Sequence, residues 1–289
     1  MLGTFTLGTV SMSKVPLLPN VITAFGLSCG LFVIFKVCMM APGPGSYYEL
    51  TPVVAILLLA SFADVLDGAV ARAMRQQSAF GGIFDSLADA ISFGVAPAVI
   101  VLKSLFIRAG TELSILVTIA AMVYSVCGVL RLVRYSTVSS QEPEPPPTVE
   151  VKKKNFFGLP IPAAAAAVVS ANLFMVSPEF RYFLVISEEA RAFVMIVVMV
   201  LLGYLMISHL RFPAFKVLEV RVSSFPLVLL TAMSAVLLFY GILYHFAVGL
   251  CALAWSYVLV SVTLNLLRRF GGQRFAHLSD FDPEEHEFS

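Results

Sequence analysis

Charge is scarce in this chain. Acidic and basic residues fill 13% of its 289 positions, against 59% for apolar ones, and the mean hydropathy is +0.91. A soluble domain carries about a quarter charged residues, so this deficit excludes an ordinary water-soluble globule and points to a membrane protein. Basic and acidic residues nearly cancel, with 19 against 18, and no basic patch with interleaved aromatics occurs; that argues against nucleic-acid binding. Cys29, Cys38, Cys127 and Cys251 lie in apolar runs without a C-x-x-C or Cys/His spacing, which speaks for buried packing rather than zinc. His209, His245, His277 and His286 are isolated, with no Ser/His/Asp arrangement beside them. His209, near a helix end, reads as a boundary residue.

What the chain has instead is long apolar runs. Taken at about 20 residues each, they predict an all-α polytopic membrane protein of about eight transmembrane helices. These fall near 17–40, 51–73, 81–106, 112–134, 158–177, 190–209, 223–244 and 246–267. The last two are separated by little more than Tyr244-His245, a tight hairpin. The first run is too long for a signal-peptide core and lacks a small-residue cleavage site, so it is expected to stay as a span. Residues 137–155 include Gln141-Glu-Pro-Glu-Pro-Pro-Pro147 and read as an extended linker. They end in Lys152-Lys153-Lys154, suited to anionic headgroups at about 1 kcal/mol per charge.

Lys and Arg placement sets the orientation. Fourteen of the 19 basic residues fall on one side: Lys14, Arg72, Arg75, Arg131, Arg134, Lys152, Lys153, Lys154, Arg211, Lys216, Arg221, Arg268, Arg269 and Arg274. Both termini are therefore expected in the cytoplasm, with an N-terminal segment at 1–16 and a C-terminal tail at 271–289.

The few acids within the spans are not scattered. The chain reads Asp64-x-x-Asp67-Gly68-x-x-Ala71-Arg72, eight residues, then Gly81-x-x-x-Asp85-x-x-x-Asp89. A central Asp costs about 2.5–3.5 kcal/mol in lipid, so four left unpaired would cost about 10–14 kcal/mol. Spacings of three and four put each pair on one face of its helix. Two such faces brought together make an oxygen-rich pocket for hard divalent cations, Mg²⁺ or Mn²⁺. Gly68, Ala71 and Gly81 leave room for a close helix approach or for a ligand against the backbone. Arg72 supplies a fork-shaped cation for a phosphate. Buried ion pairing would be the structural alternative, but Arg72 and Arg75 are too few to neutralise four acids. The cluster opens to the cytoplasm by the orientation above.

This stretch resembles the signature of the CDP-alcohol phosphotransferase family, with every named position present. The resemblance implies a membrane enzyme that moves a phosphatidyl-type group from a CDP-linked lipid to an alcohol, releasing CMP. Within the family, Asp85-Ser86-Leu87-Ala88-Asp89 followed by Ser92-Phe93-Gly94-Val95-Ala96-Pro97 looks like the phosphatidylserine synthase branch. Leu18-Pro19-Asn20-x-x-Thr23, Phe157-Gly158-Leu159-Pro160-x-Pro162-Ala163 and Ser208-x-x-Arg211-Phe212-Pro213-x-Phe215-Lys216 agree. One departure is Arg131-Leu132-Val133-Arg134-Tyr135-Ser136, where the branch has Arg-x-x-Arg-Phe-Asn.

The resemblance implies a core of six helices over 17–218, with two additional spans over 219–270 that no motif covers. It implies CDP-diacylglycerol and L-serine as substrates, Mg²⁺ or Mn²⁺ on Asp64, Asp67, Asp85 and Asp89, and Asp89 as general base. Gly68, Ala71 and Gly81 would line the nucleotide, with Arg72 near a phosphate. Asn20 and Thr23 would add polar contacts, helix capping being their alternative. Arg131 and Arg134 would take the serine carboxylate, with positive-inside anchoring as theirs. A homodimer in the bacterial inner membrane is implied as well, and Gly26-x-x-x-Gly30 offers a close-packing face for it. Sibling acceptors (inositol phosphate, glycerol phosphate, choline) stay open. An ion transporter is the remote alternative, opposed by the apolar far halves of the acid-bearing spans.

Overall fold

The computed structural model describes residues 17–40, 47–74, 78–108, 110–141, 156–208, 210–212 and 245–270. The N-terminal segment, most of the linker with Lys152–Lys154, the span expected at 223–244 and the tail lie outside these residues. Helices dominate, in the order α1 (Leu17–Cys38), α2 (Tyr47–Ala73), α3 (Ala79–Asp89), a π-helical segment (Ala90–Val95), α4 (Ala96–Ser104) and α5 (Glu112–Gln141). Then come β1 (Phe156–Phe157), α6 (Ile161–Val176), α7 (Pro178–Phe183), α8 (Glu188–Ile207), β2 (Arg211–Phe212) and α9 (Phe246–Phe270).

Among the described residues six helices are long and apolar enough to cross a membrane: α1, α2, the continuous α3–π–α4 unit, α5, α8 and α9. The protein is an all-α polytopic membrane protein. Eight spans are not established, because α6 has only 16 residues and the seventh expected span is outside the described chain. A second correction concerns the linker. Helix α5 runs on to Gln141, so residues 137–141 of the segment expected to be extended are helical.

Helix α6 occupies the middle of the bundle. Its alanine run Ala163–Ala167 gives a smooth surface, and Ala164, Ala165, Ala167, Val168 and Val169 are all essentially inaccessible. It packs against α2, α4, α8 and α9, and Trp255 of α9 donates its indole N–H to Ala167 O at 3.2 Å. Sixteen residues rise only about 24 Å, less than the roughly 30 Å hydrocarbon core. A short helix entered through Gly158-Leu159-Pro160 is tolerable because protein, not lipid, surrounds it.

Gly158 shows why its motif needs glycine. Its φ is +82°, and a Cβ there would run into the Met206 carbonyl oxygen. Its N–H donates to Leu210 O at 2.9 Å, while β1 and β2 pair antiparallel, Phe156 opposite Phe212 and Phe157 opposite Arg211. Caps follow local chemistry: the Ser78, Ser177 and Ser187 hydroxyls accept from Gly81 N, Phe180 N and Ala190 N at 3.0, 3.3 and 3.2 Å.

Helix α1 packs along α2 and against α3, the π segment and α4. Gly26 meets Ala63 of α2, and Gly30 faces Ser92 so closely that a Cβ would overlap the serine side chain. This corrects the reading of Gly26-x-x-x-Gly30 as a dimer face, since the stripe is used inside the chain.

Candidate metal centre and active site

Helix α1 lies between the acid-bearing ends of α2 and α3, so both carboxylate faces turn toward it. One oxygen from each of Asp64, Asp67 and Asp85 falls within 4.8 Å of the others. Asp89, one turn beyond Asp85, is within hydrogen-bond reach of Asp64. The pocket they line continues downward between Thr23, Gly26 and Leu27 of α1, Ala60 of α2, Ala88 of α3, and Ser92 and Phe93 of the π segment. All four expected acids are therefore brought together from two helices.

Polar neighbours reach into the cluster. Thr23 donates to Asp67 Oδ2 at 2.6 Å and also contacts Pro19 O at 3.1 Å. Asp67 is only 4% exposed. Arg131 of α5 lies near enough to act electrostatically on Asp64 and Asp89. Four carboxylates this close repel one another strongly in a poorly solvated place. Grouped carboxylate oxygens with small residues around them fit a hard divalent cation.

The other expected residues divide. Asn20 and Thr23 lie inside α1 rather than at its start, which removes helix capping as their role. A Cβ on Gly81 would approach Asn20 Oδ1 to 3.2 Å, and Asn20 Nδ2 is buried without a hydrogen-bond partner. Gly68 and Ala71 are half-buried on α2 beyond the acids. Arg72 continues α2, its side chain outside the described atoms. Arg134 is exposed on α5, one turn past Arg131.

Several neighbours had no role assigned from the sequence. The Ser92 hydroxyl is buried in the pocket with no partner. The Ser86 and Ser136 hydroxyls face each other at 3.4 Å between α3 and α5, so the position that departs from the branch pattern faces the residue that follows Asp85. Tyr257, on a span that no motif covers, feels the charge of Arg131. The serine in Asp-Ser-Leu-Ala-Asp was a visible signal; Tyr257 had none.

The family model for CDP-alcohol phosphatidyltransferase matches residues 16–201. The chain belongs to this family. The match takes in both acid-bearing helices and ends within α8. Among curated proteins, the chain is similar to the CDP-diacylglycerol–serine O-phosphatidyltransferase of Helicobacter pylori strain 26695. The two are 29% identical over 256 residues, 86% of this chain and 95% of that protein. The protein of the same name from Bacillus subtilis is 28% identical over 199 residues, 69% of this chain and 91% of its own length. The one from Methanocaldococcus jannaschii is 32% identical over 161 residues, 56% and 63% of the two chains.

Proposed function

We propose that this chain transfers the phosphatidyl group of CDP-diacylglycerol to L-serine, releasing CMP. The observation that carries the reading is the convergence of Asp64, Asp67 and Asp85 within 4.8 Å, inside a family match that spans both helices. The names of the relatives, three of them given above, favour serine as acceptor.

In this reading Asp64, Asp67, Asp85 and Asp89 hold one or two Mg²⁺ or Mn²⁺ ions. Bound cations supply charge neutralisation at the diphosphate and at the departing CMP. Thr23 fixes the orientation of Asp67 through its 2.6 Å hydrogen bond. Asp89, outside the tightest trio, takes the proton from the serine hydroxyl. The serine oxygen bonds to phosphorus as the bond from phosphorus to the CMP oxygen breaks. Gly68, Ala71 and Gly81 leave space for the nucleotide, Asn20 Nδ2 offers it a donor, and Arg72 meets a phosphate. Arg131 and Arg134 grip the serine carboxylate.

The pocket opens to the cytoplasm, with both termini on that side and the chain in a bacterial inner membrane. The motif-bearing core covers 17–218, with two additional spans assigned to 219–270. A homodimer interface, which the resemblance implies, lies away from Gly26 and Gly30.

An acceptor panel tests the proposal. Purified protein with CDP-diacylglycerol and labelled serine, inositol phosphate, glycerol phosphate or choline is scored for phospholipid and CMP. Product with serine alone supports the assignment. A preference for another alcohol leaves only the reaction class, and no CMP from any acceptor removes the enzymatic reading.

A further inference from the structure

Pro97 sits just beyond the π segment and has no N–H to give the Phe93 carbonyl, its partner in a regular helix. The proline ring also presses on that carbonyl. The span does not break there. It widens through the six-residue π segment Ala90–Val95, and two of the segment's carbonyls accept from α5. The Tyr124 hydroxyl donates to Phe93 O at 3.0 Å, and the Ser125 hydroxyl donates to Gly94 O at 2.9 Å. Tyr124 is wholly buried. Small residues permit the approach: the α5 backbone at Ser125 comes within 3.9 Å of a Cβ built on Gly94, and Gly128 lies opposite. On the other side of the segment, Ser92 is keyed into the space left by Gly30.

A π segment adds one residue relative to a regular helix. One residue is about 100° of rotation. The half of the span that carries Asp85 and Asp89 is therefore turned by about that angle relative to the half below Pro97. Removing the offset would swing both carboxylates away from Asp64 and Asp67.

We propose that Tyr124 and Ser125 are positioning residues for the carboxylate centre: their hydroxyls hold the π segment open and so aim Asp85 and Asp89 at α2. The inference rests on the proposed cation role of the four acids. Neither residue lines the carboxylate pocket, and they act through the helix that carries the acids.

The test is Mn²⁺-dependent thermal unfolding of the purified, detergent-solubilised full chain without substrate. Wild type, Tyr124→Phe, Ser125→Ala and the double variant are compared. A ligand that binds only the folded state raises the midpoint. The wild type is expected to show that rise. Each single variant is expected to need about 3- to 10-fold more Mn²⁺ for half of it, the scale of one lost hydrogen bond, and the double variant more. Should Tyr124→Phe fail to fold, Ser125→Ala carries the same comparison with a smaller change. Variants with wild-type Mn²⁺ midpoints but a lower metal-free melting temperature would show packing alone and overturn the inference. A wild type indifferent to Mn²⁺ would overturn the cation reading first, and this inference with it.

Discussion

Two buried polar clusters sit about 20 Å apart along the α3–π–α4 span, and they solve the same problem in opposite ways. At the far end, Arg191 of α8 is 2% exposed and makes four hydrogen bonds. It reaches Ser104 O and Glu188 Oε2 through Nη1, at 3.2 and 3.1 Å, and Ser104 Oγ and Asn172 Oδ1 through Nη2, at 3.0 and 2.9 Å. Only its Nε lacks a partner. One cation there meets one carboxylate from α8 and neutral acceptors from α4 and α6. At the near end, four carboxylates stand together, with Thr23 donating to Asp67 and Arg131 acting on Asp64 and Asp89. Burying polar groups in an apolar bundle is tolerated when partners satisfy them. The Arg191 cluster is satisfied by the chain itself and reads as a fastening between helices. The acidic cluster gathers like charges instead, and it reads as a site completed by a bound cation.

The largest effect should separate these roles outright. Asp85→Asn keeps shape and removes charge. Turnover should drop about 100-fold or more, the scale of one lost electrostatic group in a transition state, while the unfolding midpoint holds or rises as repulsion is relieved. Excess EDTA should abolish CMP release and Mg²⁺ or Mn²⁺ restore it. Full activity in chelator would erase the contrast.

Next comes Arg131, which belongs to the acidic end by position. Arg131→Ala should raise the apparent KM for serine about 10- to 100-fold, from the loss of a charge-assisted contact worth about 1.5–3 kcal/mol. The KM for CDP-diacylglycerol should change little. An unchanged serine KM would make the arginine a counter-charge for Asp64 and Asp89 only.

Arg191→Met should invert the pattern of Asp85→Asn. Stability should fall by about 1–3 kcal/mol as the acceptors lose their common donor, with turnover per folded molecule retained. A turnover loss larger than the stability loss would mean that the far cluster takes part in the reaction.

The smallest effect is expected at Glu179, outside the spans. His245 lies 2.8 Å away. The hydrogen bond from His245, first among the causes, holds the Glu179 carboxyl below its usual range. A lowered carboxylate contributes stability above its unfolded pKa and loses it as pH falls through the folded value. The difference in melting temperature between wild type and His245→Gln should therefore be small near neutrality and close below about pH 4.

The acidic end was legible because its information is local. Spacings of three and four placed Asp64 with Asp67 and Asp85 with Asp89 on their faces, and apolar length placed the helices that hold them. Arg191 was not legible, since a basic residue in the first turn of a span looks like a boundary charge. Its partners Ser104 and Asn172 are 87 and 19 positions away. The π segment was hidden for another reason. An offset of one residue leaves apolar composition untouched, and Pro97 alone does not say whether a helix will kink, break or widen. Gly26 and Gly30 were visible as a close-packing stripe, but nothing in their spacing says which helix fills it. Tyr257 depends on a tertiary neighbour and carries no pattern at all.

The β1–β2 pair is two residues long, yet it bears on the order in which the molecule can be made. It joins Phe156–Phe157 to Arg211–Phe212 and so fastens both ends of the stretch that contains α6, α7 and α8. During synthesis, α6 emerges first, too short to be at ease in lipid by itself. The partners that close its entry, Leu205, Met206 and Leu210, arrive some 45 residues later. At about 5–20 residues per second, the central helix of the bundle waits several seconds for the strand that seals it. That interval is when a membrane chaperone would find it exposed.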